Sequence, residues 1–193
     1  ASAAGLSYSI GFRAPSLAEM LEGFGGHLIA ATNSDCRFRD PAPALPAYAG
    51  EIDPLSLQSA FELVSNTFKQ PTSFAIWFGC HVTHPKYPEF ILPLASPLQR
   101  TDLAVLFENG KSIQRSTGSR FAFLDRADAG EVLLFADGEV FNLSHQLIDL
   151  VVEICAATPL NNGIFCIEKM GTEGQRLVLE LLNQGSLVSE DPT

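Results

Sequence analysis

The sequence predicts an α+β protein made of a helical region and a small mixed unit, and three features carry that prediction. An alternating run, Leu6-Ser-Tyr-Ser-Ile-Gly-Phe12, has the period of a half-buried strand and leads straight into a helix start. Three amphipathic segments follow between Leu17 and Val82. Further on, Asp137-Gly138 lies between the apolar runs Val132–Phe135 and Val140–Leu143, the strongest hairpin signal in the chain.

In order, Leu6, Tyr8, Ile10 and Phe12 share one face of the first strand, and Ser7, Ser9 and Gly11 the other. Pro15 has no N–H to donate and stops the ladder. A strand this near the start has no earlier segment to pair with, so the chain reads as the tail of something larger. Ser16 and Glu19 have capping-box spacing, and Leu17, Met20, Leu21, Phe24 and Leu28 form the stripe of a helix reaching about Ala31. Gly23, Gly25 and Gly26 inside it each cost roughly 1 kcal/mol relative to Ala. They predict either a break or a close crossing by another backbone, the second fitting a contact between subunits.

Asn33 to Glu51 is a loop, with Pro41, Pro43 and Pro46 among small residues. Asp35, Cys36 and Asp40 within it lack the spacing of a metal site. Asp53 caps a second helix and Pro54 takes its first position. Leu57, Ala60, Phe61, Val64 and Phe68 are its stripe, and Gln70-Pro71 ends it. A third helix, from about Thr72 to Val82, sets Phe74, Trp77, Phe78 and Val82 on one face. These faces exceed what a small bundle covers internally, which predicts a shared interface. His81 and His84 at its end could pair on a metal, but no third ligand is near, and histidines at a helix C-terminus serve as dipole partners.

Pro85, Pro88, Pro93 and Pro97 mark an extended tether and the predicted domain boundary. Beyond it, a short helix from Thr101 stops at Asn109-Gly110. Ser119 to Asp125 alternates, the hairpin follows, and Ser144 caps a helix to about Ala157 with Leu147, Ile148, Val151, Ile154 and Cys155 inward. Thr172 and Gln175 form another capping box ahead of Leu177, Val178, Leu181 and Leu182. Gly185 ends that helix, Ser186 to Ser189 closes the small sheet, and the last residues are expected to be disordered.

The chain has 193 residues, 46% of them hydrophobic, enough for a sizeable core in one or two domains. No apolar run reaches membrane-spanning length, and the first residues lack the basic and apolar regions of a signal peptide. Cys36, Cys80, Cys155 and Cys166 have no CxxC spacing, which predicts free, buried thiols of a cytoplasmic protein. Net charge is −10; residues 98–193 hold seven Lys/Arg against fourteen Asp/Glu. Such a surface opposes phosphate and suits a basic partner or solubility alone. The chain has no G-x-G-x-x-G, P-loop or G-x-S-x-G motif, and no His-x-Asp or His-x-Glu.

The run Tyr8-Ser-Ile-Gly-Phe-Arg-Ala-Pro15, followed by an amphipathic helix, resembles the end of the JmjC-type cupin barrel in bacterial ribosomal oxygenases. The likeness continues through Trp77-Phe78-Gly79, the proline-rich tether and a winged-helix-like pattern. It implies three parts: residues 1–15 as the terminal barrel strand, 16–97 as a helical dimerisation region with its tether, and 98–193 as a winged-helix-like domain. It implies a cytoplasmic homodimer, a ribosomal-protein substrate, and Fe(II) and 2-oxoglutarate in the parent enzyme, an arginine hydroxylase. The family's iron ligands have no counterpart in this sequence, so no catalytic, cofactor or metal residue carries over, and no cofactor is expected on these residues by themselves. Arg13 and Ser16 fall near the family's substrate mouth, although Arg13 reads equally as an ordinary structural ion pair. Leu17, Phe24, Phe61 and Trp77 are the expected dimer contacts. The candidate recognition helices carry His145, Asp149 and Glu153, or Glu173, Arg176 and Glu180, and the hairpin tip carries Asp137 and Glu139. Those faces, acidic on balance, oppose phosphate, so a structural or protein-binding module is predicted, with neither DNA nor membrane as partner. The rival reading is an acidic, non-catalytic interaction and dimerisation module.

Overall fold

A computed structural model of the chain describes residues 14–33, 35–39, 41, 48–156, 160 and 167–190. The expected Leu6–Phe12 strand and Arg13 lie outside the described residues, as do Cys166 and the last three positions. The chain divides into two compact units, Ala1–Phe74 and Ala75–Thr193. The divide falls within a helix, so the proline stretch belongs to the second unit.

In the first unit, helix α1 spans Leu17–Ala31. The Ser16 hydroxyl accepts from the Glu19 N–H at 3.2 Å, and the Glu19 carboxylate accepts from the Ser16 N–H at 2.6 Å, the reciprocal cap read from the sequence. The glycines do not break this helix. A β-carbon at Gly26 would meet nothing within 4 Å, and one at Gly25 only the Phe68 ring at 3.9 Å, so no described backbone crosses there. Helix α2, Pro54–Phe68, starts on the Asp53 carboxylate, which accepts from the Ser56 N–H at 2.9 Å and is held below the usual carboxylate range by that bond. Helix α3 spans Pro71–Thr83. Phe24 packs edge-on against Phe68 and Phe74, with ring centroids 5.9 and 5.1 Å away, and His27 Nε2 lies 3.2 Å from the Ser73 hydroxyl. The α2 stripe buries nothing: Leu57, Phe61 and Val64 are all exposed.

The second unit has helices α4 (Arg100–Glu108), α5 (Ile148–Cys155) and α6 (Ile167–Asn183), and strands β1 (Ser112–Arg115), β2 (Phe121–Arg126), β3 (Glu131–Ala136), β4 (Glu139–Ser144) and β5 (Leu187–Glu190). Strands β2, β3 and β4 form one antiparallel meander, and β1 pairs with β5 in a separate two-stranded sheet. Ser186 to Ser189 therefore closes a sheet of its own with a strand the sequence did not signal, rather than extending the hairpin sheet. Gly171, at φ 59°, interrupts α6, so the regular part of that helix starts near Thr172. Leu177, Val178, Leu181 and Leu182 of α6 meet Leu103, Phe107, Ile113, Val132, Leu134, Leu150, Val151 and Ile154 in the core. Ser144 caps a short 3₁₀ turn at His145–Leu147 before α5 begins, a tighter entry than the single helix expected.

The hairpin turns on Asp137 (φ 51°) and Gly138 (φ 90°), both left-handed, as a two-residue type I′ turn requires. Its turn is tied to neighbouring segments. The Asp137 carboxylate accepts from the Arg120 N–H at 2.8 Å and the Ser186 hydroxyl at 2.6 Å, and the Gly138 N–H donates to the Thr83 hydroxyl at 3.2 Å. The tether is fastened as well. Asn183 accepts from the N–H groups of Leu94 at 3.0 Å and Leu98 at 2.7 Å, and its side-chain amide donates to the Leu98 carbonyl at 3.1 Å. Gly185, at φ 84°, lets the Leu92 backbone pass against it.

Gly79 packs α3 over β3, because a β-carbon there would overlap the Phe135 ring. Gly79→Ala should destabilise the protein by about 1–3 kcal/mol in urea unfolding, overpacking outweighing helix propensity. Gly26→Ala, with open space around it, should instead stabilise by up to about 1 kcal/mol.

Candidate functional site

The residues singled out in the sequence do not converge on one place. Ser16 serves as the cap of α1. Leu17 (69% exposed) and Phe61 (70%) stand on the surface, whereas Phe24 (4%) and Trp77 (7%) are already buried within the protomer. Within the protomer Phe24 packs against Phe68 and Phe74, and Trp77 stacks with His81.

One cleft, of about 770 Å³, opens at the C-terminal end of α3 and is lined by Trp77, His81, His84, Lys86, Arg120 and Gly138 among others. His81 stacks on Trp77 with ring centroids 5.2 Å apart, and the Lys86 ammonium sits 5.2 Å from the centre of the Tyr87 ring. Arg120 donates to the His84 carbonyl at 3.3 Å. These cationic and imidazole groups gather where the α3 carbonyls point outward, the placement a helix dipole favours. They complement the helix end and form no metal cage. Among the described residues, no group of three or more His, Cys, Asp or Glu is placed to hold a metal ion. With no His-x-Asp or His-x-Glu in the sequence either, these residues do not fit an iron centre.

Cysteine chemistry is muted at Cys80, beside this cleft, and at Cys155 on α5. Burial pushes the Cys80 thiol up, with the Glu139 charge adding to it. Burial pushes Cys155 up to about 11, against the opposing pull of Arg115. Both thiols stay protonated at neutral pH and are poor nucleophiles. Cys36 is exposed, and Cys80 and Cys155 are half-buried, so the described thiols are less buried than the sequence suggested.

A second groove, of about 300 Å³, runs between β4 and α6, lined by Glu139–Leu143 on one side and Glu173, Arg176, Leu177 and Glu180 on the other. Sequence reasoning treated the two acidic sets separately, because one belongs to a strand and the other to a helix some forty residues later. Their only shared signal was the acidic balance of the second half. No described helix is long and apolar enough to cross a membrane.

Asp137 fixes the wing through bonds to two other segments. Asp137→Ala should cost roughly 2–4 kcal/mol in urea unfolding, since it deletes two charge-assisted hydrogen bonds and a residue suited to positive φ. Asp137→Asn, which keeps one acceptor and tolerates the turn, should cost less.

Comparison with known proteins agrees with this architecture. Along 159 residues, 82% of its length, the chain is 24% identical to the ribosomal protein uL16 3-hydroxylase of Escherichia coli K12, and it spans 41% of that relative. The crystal structure of the E. coli ribosomal oxygenase YcfD superposes over 94% of the chain with a TM-score of 0.76 at 21% identity, using 48% of that protein. The structure of YcfD in complex with cobalt and 2-oxoglutarate gives 0.75 over the same shares, also at 21% identity. At these identities the superpositions establish the fold. Residues 62–188, more than half of the chain, match the family described as ROXA-like winged helix. The chain belongs to the ROXA-like winged-helix family.

Proposed function

We propose that this chain is the C-terminal part of a ribosomal oxygenase, an Fe(II)- and 2-oxoglutarate-dependent enzyme that hydroxylates an arginine of a large-subunit ribosomal protein. One observation carries the reading: the chain has both a family match over residues 62–188 and a likeness along 82% of its length to a uL16 3-hydroxylase. Iron and 2-oxoglutarate would be held by residues of the parent enzyme outside this chain, whose own sequence has no His-x-Asp or His-x-Glu. In this reading the helices contribute an assembly surface, and the second unit is a folded module carried by the catalytic part.

Two measurements test it. The complete gene product, with Fe(II) and a peptide from the ribosomal protein, should turn over 2-oxoglutarate and add 16 mass units to an arginine. The 193 residues alone should not exceed a no-enzyme control. A complete product with no His-x-Asp or His-x-Glu upstream and no turnover would leave the chain an acidic interaction module.

We propose further that residues 16–83 form a homodimer. The support is apolar surface at Leu17, Leu21, Leu57, Phe61 and Val64, all more than half exposed in the protomer. Light scattering should give twice the chain mass. Phe61→Asp should return the mass to that of one chain with helicity retained, because it places a charge in the apolar face. A monomeric parent chain at micromolar concentration would refute the dimer.

A further inference from the structure

We propose that the outer edge of β4 takes up an extended, basic peptide segment of another protein by strand addition. The register decides which groups are free to do so. The two-residue turn makes Ala136 and Glu139 the closing hydrogen-bonded pair, so Phe141 and Leu143 also bond to β3. Val140, Asn142 and Ser144 turn their N–H and C=O groups the other way. The His145 N–H donating to the Gly130 carbonyl at 2.9 Å keeps the same phase at the far end of the strand.

No described strand lies on that side, because β4 is the edge of its sheet. Among the described residues, the Ser144 N–H alone of these three finds an acceptor there, the Glu173 carboxylate at 3.1 Å. That oxygen occupies the place where the carbonyl of an added strand would sit, and it closes one end of the row. Val140 and Asn142 remain as the open part of the edge, facing the groove between β4 and α6.

Charge selects the occupant. Among the described residues lining the groove, Glu139, Glu173 and Glu180 stand against one cation, Arg176. Carboxylates along a strand edge deter apolar strands from other chains. They have the opposite effect on a strand bearing lysine or arginine, which gains charge-assisted contacts on either side of the backbone ladder. This inference concerns the second unit alone and stands or falls independently of the oxygenase reading.

The test uses the 193-residue chain and a fluorescein-labelled octapeptide of alternating Lys and Val. Fluorescence anisotropy should show binding that weakens as salt rises. The same peptide with Glu in place of Lys should not bind. Asn142→Pro removes one outward N–H and no bond to β3, since proline is tolerated on a free edge. It should weaken binding tenfold or more with an unchanged melting curve. If that variant misfolds, Glu139→Lys with Glu180→Lys, both on the surface, should reverse the preference between the two peptides. Amide exchange at Val140 and Asn142 should slow in the complex. Equal affinity in a folded Asn142→Pro variant, unchanged exchange at both amides, equal binding of the Glu peptide, or no binding of the Lys peptide at millimolar concentration would each overturn the proposal. So would a self-association that Asn142→Pro abolishes, since the edge would then belong to a second copy.

Discussion

The left-handed pair Asp137–Gly138 is the constraint on which the second unit depends. A two-residue loop with both residues at positive φ permits one register, and in a sheet a slip of one residue exchanges the two faces. The register puts Val132 and Leu134 in the core cluster and, by the same phase, sets the outward row on β4. Asp137 then spends its carboxylate on Arg120 and Ser186, so the turn that fixes the strands also ties the meander to the start of β5. Local chain geometry and tertiary attachment rest on the same two residues.

The two units differ in how their apolar surface is disposed. In the second, one contiguous core draws on α4, α5, α6 and both sheets. In the first, Phe24 and Leu28 are buried while α2 contributes no buried residue. Apolar area removed from water is worth about 25 cal/mol per Å², and α2 leaves most of its stripe unused within the protomer. Membership in the winged-helix family accounts for the second unit. It does not by itself supply a reason for the exposed stripe.

What the sequence made legible was local. Ser16 with Glu19, Asp53 with Pro54, and Asp137-Gly138 each encode their structure within four residues, and each stands where it was expected. The stripe at Leu177, Val178, Leu181 and Leu182 is equally self-contained. Strand β1 was invisible because Ser-Ile-Gln-Arg has one apolar residue in four, and its reason for being extended lies at Leu187–Glu190. The continuity of α1 through its glycines, the burial of Trp77 and the clamp on the tether likewise depend on partners distant in sequence. At the candidate sites, residue types were readable but their convergence was not: Glu139 and Glu180 share a groove only because the fold sets β4 beside α6.

The closure of the second unit has a consequence during synthesis. Strand β1 finds its partner only at Leu187–Glu190, and the tether is held by Asn183. The meander β2–β3–β4 is local and can form early on the ribosome. The segment from Leu92 to Arg115 must wait until Glu190 has left the exit tunnel. At translation speeds of about 5–20 residues per second, that leaves Ile113 and its neighbours without their final partners for several seconds. A growing chain would expose apolar groups over that interval, so the unit's dependence on chaperones should be set by its last strand.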